Sequence, residues 1–515
     1  MRKYSPAIYL SIFLFSFLYL FIFQNYGINL WDEGVLLNGS LRTLEGESVY
    51  TDFNGYPPGR YLLGAALFKI FGINISVIRI AVAVMTAVAV AMLYSISLRV
   101  IPASFLAIIP SILFLVSPAV YYNRFYPIFT IFSIYVTCWY LIPTSPPIQK
   151  RGMKGVVLAL SVILSLLFKL EIGMGIMIVS MTMMLFRGKF REFKYFIFTL
   201  VLTTLFLTFY YLRGIDIYSF LYDVYFHVFK IYNSWGNPFP SLFSLNLWKN
   251  FNTHEIFSVL LFYIPLIIYL LIFIILLRTP TLRQAQGELR TSLAVILFFG
   301  IYTYNLVIWR TGFDNLIRCL PPALILGSYL LYLFRIKLLE WTGERRFSYA
   351  IILILPLWFL YEMVFYGDFY AGSIGEMKKT HAPLLIERAA NIYTDPVEAS
   401  WIKEITVHIK NNTKSEDTIF AIPLNSIWYF LTDRKNPTYY EWILPGTLKN
   451  GKEEMAVIEQ LKKRMPVFVI YADIAIDNKE ERRFSNYAPL VYNFIIDKYH
   501  VEKTVGFYQI WRYGK

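Results

Sequence analysis

GVVLALSVILSLLFKLEIGMGIMIVSMTMMLF, residues 155–186, is a run of 32 residues in which Lys169 and Glu171 are the only charges. One straight helix of that length would measure about 48 Å, well beyond the roughly 30 Å hydrocarbon core of a bilayer. Two helices joined by a tight bend at Lys169, Glu171 and Gly173 resolve the mismatch, because the two charges then reach an interface instead of hydrocarbon. The chain is therefore expected to cross a membrane twice here, near 154–168 and 172–186.

Nine further apolar runs flank this hairpin, near 6–23, 79–98, 103–120, 127–142, 195–212, 256–277, 292–309, 319–334 and 350–366, so about eleven transmembrane helices are expected. Gln24, Asn25, Tyr26 and Gly27 follow the first run without a small-residue cleavage site, which favours a retained anchor over a signal peptide. Composition agrees: 57% of the 515 residues are hydrophobic, 18% aromatic and only 16% charged, against about 25% charged in a soluble domain. Two cysteines inside apolar runs, Cys138 and Cys319, rule out a disulfide scaffold or a cysteine zinc site.

The net charge of +14 is topological rather than a nucleic-acid footprint. With a cytoplasmic N-terminus, the cytoplasmic segments hold seventeen basic residues against four acids, +13 of the total, and the rest of the chain nets +1. Lys and Arg near helix ends set orientation, so the C-terminus of an eleven-span chain lies outside, in a multi-pass cell-membrane protein.

Outside, this topology leaves a first loop of about 24–78, a second of about 213–255, and a tail of roughly 150 residues. In the tail, Asp417 to Pro423 and Pro466 to Tyr471 are expected as buried strands, and Pro396 to Ile409 and Lys452 to Arg464 as helices with charged faces. The expected fold class is mainly α, with a membrane domain over 1–366 that includes the first loop, and an extracytoplasmic α/β domain over 367–515.

The first loop opens with Leu30-Trp31-Asp32-Glu33-Gly34, followed by Tyr50-Thr51-Asp52-Phe53 and Tyr56-Pro57-Pro58-Gly59-Arg60. Adjacent carboxylates at a membrane surface repel each other and are commoner where a base or cation site is wanted. The competing explanation, equally weighted, is that one of them opens a loop helix as a capping or dipole-matched acid. Tyr-Pro-Pro-Gly is a stiff extended-to-turn element that leads into the amphipathic stretch Tyr61 to Phe71. Cationic groups recur at the same face: Arg79, Arg124, Lys169 beside Glu171, and Arg310 with Asp314 and Arg318. Singly these are snorkelling residues or local ion pairs; together they suit an anion such as phosphate.

These residues resemble the GT-C glycosyltransferases: a short cytoplasmic start, one helix, a loop opening with Asp32-Glu33, Tyr-Pro-Pro-Gly before an amphipathic stretch, and a span opening with Arg79. Closest in pattern are the protein O-mannosyltransferases, the lipid A aminoarabinose transferases and the bacterial enzymes that modify lipopolysaccharide cores. The likeness covers about 1–186 by motif and the rest by topology. It implies inverting transfer of a sugar from a polyprenyl-phosphate donor to a lipid, glycan or protein acceptor at the external face. By that resemblance Asp32 is the general base accompanied by Glu33, Lys169 lies near the carrier phosphate, and Arg79 and Arg310 help. Family members often carry a second acid after the third span, where this chain has Arg124-Phe125-Tyr126-Pro127; Glu171 or Asp52 is left to fill that role. Tyr56 and Arg124 complete the expected substrate-binding set.

Asp32 or Glu33 offers hard oxygen ligands to a divalent metal, but no cofactor is required. The five histidines show no ligand spacing, and no P-loop, dinucleotide turn or catalytic Ser or Cys motif is present. A transporter or flippase predicts charges in mid-span and matching halves; here charges sit at span ends. A noncatalytic membrane scaffold is the remaining rival.

Overall fold

A computed structural model describes residues 6–117, 124–141, 153–186, 190–211, 238–242, 253–278, 284–365, 379–448 and 450–514. The second external loop, apart from 238–242 and 253–255, lies outside the described residues, as do His227 and the start of the tail. In chain order the helices are α1 (Pro6–Phe23), α2 (Asp32–Leu44), α3 (Gly59–Phe71), α4 (Ile75–Val100), α5 (Ser104–Ala107), α6 (Ile109–Val116), α7 (Phe125–Leu141), α8 (Met153–Phe168), α9 (Leu170–Phe186) and α10 (Phe190–Tyr211). Then come α11 (Thr253–Arg278), α12 (Gln284–Trp309), α13 (Phe313–Thr342), α14 (Arg345–Phe365), α15 (Pro396–Asn411), α16 (Ile427–Thr432), α17 (Gly451–Lys463) and, after a single helical turn at Phe484–Tyr487, α18 (Pro489–Lys498).

Helices occupy the described part of each expected apolar run. Six of them, α1, α4, α11, α12, α13 and α14, are long and apolar enough to cross a membrane, whereas α6 to α9 are shorter apolar helices. Phe15, Leu270 and Ile354 are among the large apolar side chains these six leave exposed, a surface suited to lipid rather than water. The chain is thus a membrane-embedded, mainly helical protein. Its helices α1 and α5 to α14, with α4 from Val82 onward, make one compact unit. Aromatic contacts knit it together, among them Phe129 on Phe168 at 4.7 Å and Phe257 on Trp358 at 4.8 Å.

The break in residues 155–186 falls at Lys169, between α8 and α9. Gly173 lies so close to Leu166 that a Cβ there would come within 2.6 Å of the Leu166 backbone nitrogen. Residues seven apart in one helix are separated by about 10 Å, so the contact requires the chain to fold back, as the length argument predicts.

The second compact unit joins the described residues of Phe23–Ala81 to those of Glu376–Lys515. The first loop, which the sequence assigns to the membrane domain, is therefore built together with the tail. At its centre is a four-stranded sheet in the order β3 (Ile419–Ile422), β4 (Phe468–Ala472), β6 (Tyr508–Tyr513), β5 (Tyr499–Val505), with β3 parallel to β4 and the other pairs antiparallel. A two-stranded ribbon, β1 (Ala382–Pro383) with β2 (Tyr393–Thr394), precedes it. β3 and β4 are buried along their whole lengths, which is why both appear as unbroken apolar runs. Both tail helices expected from the sequence form. Asp395 caps α15 by accepting the N–H groups of Val397 and Glu398, with Pro396 in the first turn, and Asn450 caps α17 in the same way.

Backbone pairing ties the loop to the tail: Gly27 N–H donates to the Tyr393 carbonyl at 2.7 Å, and Tyr393 N–H to the Asn25 carbonyl at 2.7 Å.

Candidate functional site

The loop unit begins with a side-chain turn. Asn29 Oδ1 accepts the N–H of Trp31 at 3.1 Å and of Asp32 at 2.7 Å, satisfying donors that the first turn of α2 would leave unpaired. Asp32 and Glu33 are the first two residues of α2, where carboxylates complement the positive end of the helix dipole. Successive residues on a helix point about 100° apart, and the two acids meet different surroundings.

Glu33 is buried and pairs with the equally buried Arg79 through two bonds, Nε to Oε1 and Nη2 to Oε2, each 2.7 Å. Arg79 also donates to the carbonyls of Gln24 at 2.7 Å and Gly27 at 2.9 Å. Four bonds occupy nearly the whole of a five-donor guanidinium. Two expectations change accordingly: Arg79 is committed to Glu33 and the loop backbone instead of a phosphate, and Glu33 is the carboxylate that holds the loop together. Asp32, half-buried, is the acid of the pair outside this interior bond.

Gly34, Asn38 and Arg42 follow at four-residue steps, so they share one face of α2, and each meets the tail. A Cβ on Gly34 would overlap the Ile427 backbone at the start of α16. Glu441, fully buried, accepts from Asn38 Nδ2 at 2.8 Å and Arg42 Nη1 at 2.6 Å. Arg42 further binds Glu47 at 2.5 Å and the Asp52 carbonyl at 2.9 Å. Burial works against the Arg42 charge, but Glu441 and Glu47 outweigh it, and its pKa lies above the ordinary arginine value. A polar pocket of about 90 Å³ sits at this seam, among Asn38, Arg42, Glu45, Asp433 and Lys435. Lys435 pairs there with Glu45 at 3.0 Å and Asp433 with Arg388 at 2.7 Å.

Asp52 and Tyr56 shape the loop. Asp52 Oδ2 accepts the Ser48 N–H at 2.8 Å and closes a turn. Tyr56 lies against Trp442, with ring centroids 5.2 Å apart, under the Arg60 guanidinium at 4.5 Å.

The remaining expected residues belong to the membrane unit. Lys169, at the hairpin bend, has its ammonium 5.6 Å from the Tyr126 ring. Arg124 is buried directly before α7, two residues from that tyrosine. The Glu171 carbonyl accepts the Tyr302 hydroxyl at 2.6 Å, and the Arg310 carbonyl accepts from Asn315 Nδ2 at 2.8 Å. The structure thus brings Lys169 to Tyr126 and Glu33 to Arg79.

Two features escape a reading of motifs. Glu441 and Arg42 are 399 positions apart, and no local pattern links them. The Trp31 ring, next to Asp32, stacks on Phe507 of the tail. The Asn29 turn was open to detection, since an Asn three residues before an acid-rich helix start is a known cap signal. Among the described residues no three His, Cys, Asp or Glu side chains are grouped to hold a metal ion. No protein-family model matches the chain, and no curated protein matches it in sequence.

Proposed function

We propose that the chain is an integral membrane glycosyltransferase that moves a sugar, with inversion, from a polyprenyl-phosphate donor to an acceptor hydroxyl at the external face. The observation that carries this reading is the division of labour between the adjacent acids. Glu33 is neutralised inside the loop by Arg79, and that bond anchors the helix whose first residue is the half-buried Asp32.

In the proposed step, Asp32 accepts the acceptor's hydroxyl proton as the oxygen attacks the anomeric carbon. The bond from that carbon to the phosphate oxygen breaks, and polyprenyl phosphate leaves with the bonding pair. Inversion follows from a single displacement. Cations answer the charge developing on the leaving phosphate, and Lys169, Arg124 and Arg310 are our candidates from the sequence pattern. The seventeen cytoplasmic basic residues support an N-terminus inside, eleven spans, and the loop and tail outside.

The test is transfer by purified chains in nanodiscs carrying polyprenyl-phosphate sugars. Asp32→Asn and Asp32→Ala should fold and insert normally yet transfer about 10²- to 10⁴-fold more slowly. Transfer at the wild-type rate by either variant removes Asp32 as the base, and a scaffold would show no transfer in any form.

A further inference from the structure

The chain returns to Asp32 at its C-terminal hairpin. β5 and β6 turn at Gly506, which has φ +59°, and a Cβ there would come within 2.7 Å of the Trp401 indole. Glycine is required twice over, for the left-handed backbone and for the close ring. The next residue, Phe507, lies nearly parallel to Trp31, with centroids 6.0 Å apart and planes at 11°. Trp401 of α15 meets Phe507 edge to face, at 5.7 Å and 87°. The Phe507 carbonyl accepts the Asp473 N–H at 3.3 Å, so the turn is held from its backbone as well.

The same hairpin reaches the far side of the acidic pair. Tyr508 packs edge-on against the buried Trp428 at 5.2 Å, and Trp428 belongs to α16, whose first residue backs onto Gly34. One hairpin thus touches the ring before Asp32 and the helix under Gly34. Phe507, 36% exposed in this turn, meets Trp401 and Tyr508 within the tail and Trp31 in the loop.

We propose that Phe507 is a positioning residue for Asp32: stacked on Trp31 and braced by Trp401, it fixes the first turn of α2 so that the Asp32 carboxylate is held for the acceptor. This rests on the reading of Asp32 as base. A misplacement of about 1 Å at a catalytic group costs up to 10²-fold in rate, which makes a single ring contact beside it consequential.

The experiment uses the full chain in nanodiscs, with Phe507→Ala and Phe507→Tyr. Amide hydrogen exchange is followed at 29–34 and, as a fold control, at 419–422 and 468–472. Phe507→Ala should exchange roughly fivefold faster at 29–34 with the control strands unchanged. It should also lower kcat about tenfold while KM for the polyprenyl-phosphate sugar stays within about twofold. Phe507→Tyr, which keeps the ring face, should restore both. Unchanged exchange at 29–34, or a wild-type kcat in Phe507→Ala, overturns the proposal. If the alanine loosens the control strands too, Phe507→Leu, which keeps bulk without a ring face, carries the same expectation. Absence of transfer by the wild-type chain would defeat the glycosyltransferase reading, and the exchange measurement would still decide the clamp.

Discussion

Two neighbouring carboxylates, written side by side in Asp32-Glu33, meet different fates because a helix turns about 100° between them. No local pattern distinguishes them, since the partner that selects Glu33 is Arg79, 46 positions on. A buried pair of this kind contributes little net stability, but breaking it strands an uncompensated charge at a cost of about 3–5 kcal/mol. Arg79→Met should therefore lower the unfolding free energy of the loop and tail by about that amount. Denaturant titration of the full chain in micelles, followed by tryptophan fluorescence, measures it. Adding Glu33→Met should recover most of the loss, because no charge then remains to be desolvated. A single-variant change below about 1 kcal/mol would return Arg79 to the role of a free cation for phosphate.

Elements were legible where their own residues carried the signal. The hairpin followed from the length of its run and the two charges that place its bend, α15 and α17 from helical stretches with charged faces, and β3 and β4 from unbroken apolar runs. The β5–β6 hairpin was not, because an irregular register between Val501 and Lys503 and the charges of Glu502 and Lys503 break the alternation. Of α2 only the start was legible, as the loop helix that Asp32 or Glu33 would open, because its buried face includes Gly34, Asn38 and Ser40, residues that show no apolar stripe. Gly34 is the element's tightest point. Gly34→Ala should separate α2 from α16, costing about 1–3 kcal/mol by overpacking, and limited proteolysis should then cut residues 24–78 faster. Resistance equal to wild type would mean that α2 does not rest on α16.

At the scale of the whole molecule, the sequence divides the chain where the apolar runs stop, but the loop and the tail share one interior. Asn54 alone shows the interdependence: its side chain donates to the Trp442 carbonyl at 3.3 Å and accepts the Glu441 N–H at 2.6 Å, while its own N–H donates to the Tyr439 carbonyl at 2.9 Å. Phe68 stacks on Phe430 at 5.9 Å. A tail specialised for the acceptor would, when removed, spare hydrolysis of the carrier. The shared interior predicts otherwise: a chain ending after 378 should lose transfer and carrier hydrolysis together, with its first loop open to protease. Retained hydrolysis with lost transfer would separate the tail from the base.

Asn38 meets Glu441 across 403 positions. A ribosome adds about 5–20 residues per second, so about 20–80 s separate the appearance of the helix that carries Asp32 from that of the carboxylate that satisfies its inner face. During that interval α2 has the contacts of Asn29 and Arg79 and none of those that the tail supplies. Synthesis of the apolar helices and closure of the loop-and-tail unit are thus separate events in time, and the second is timed by the arrival of Glu376–Lys515.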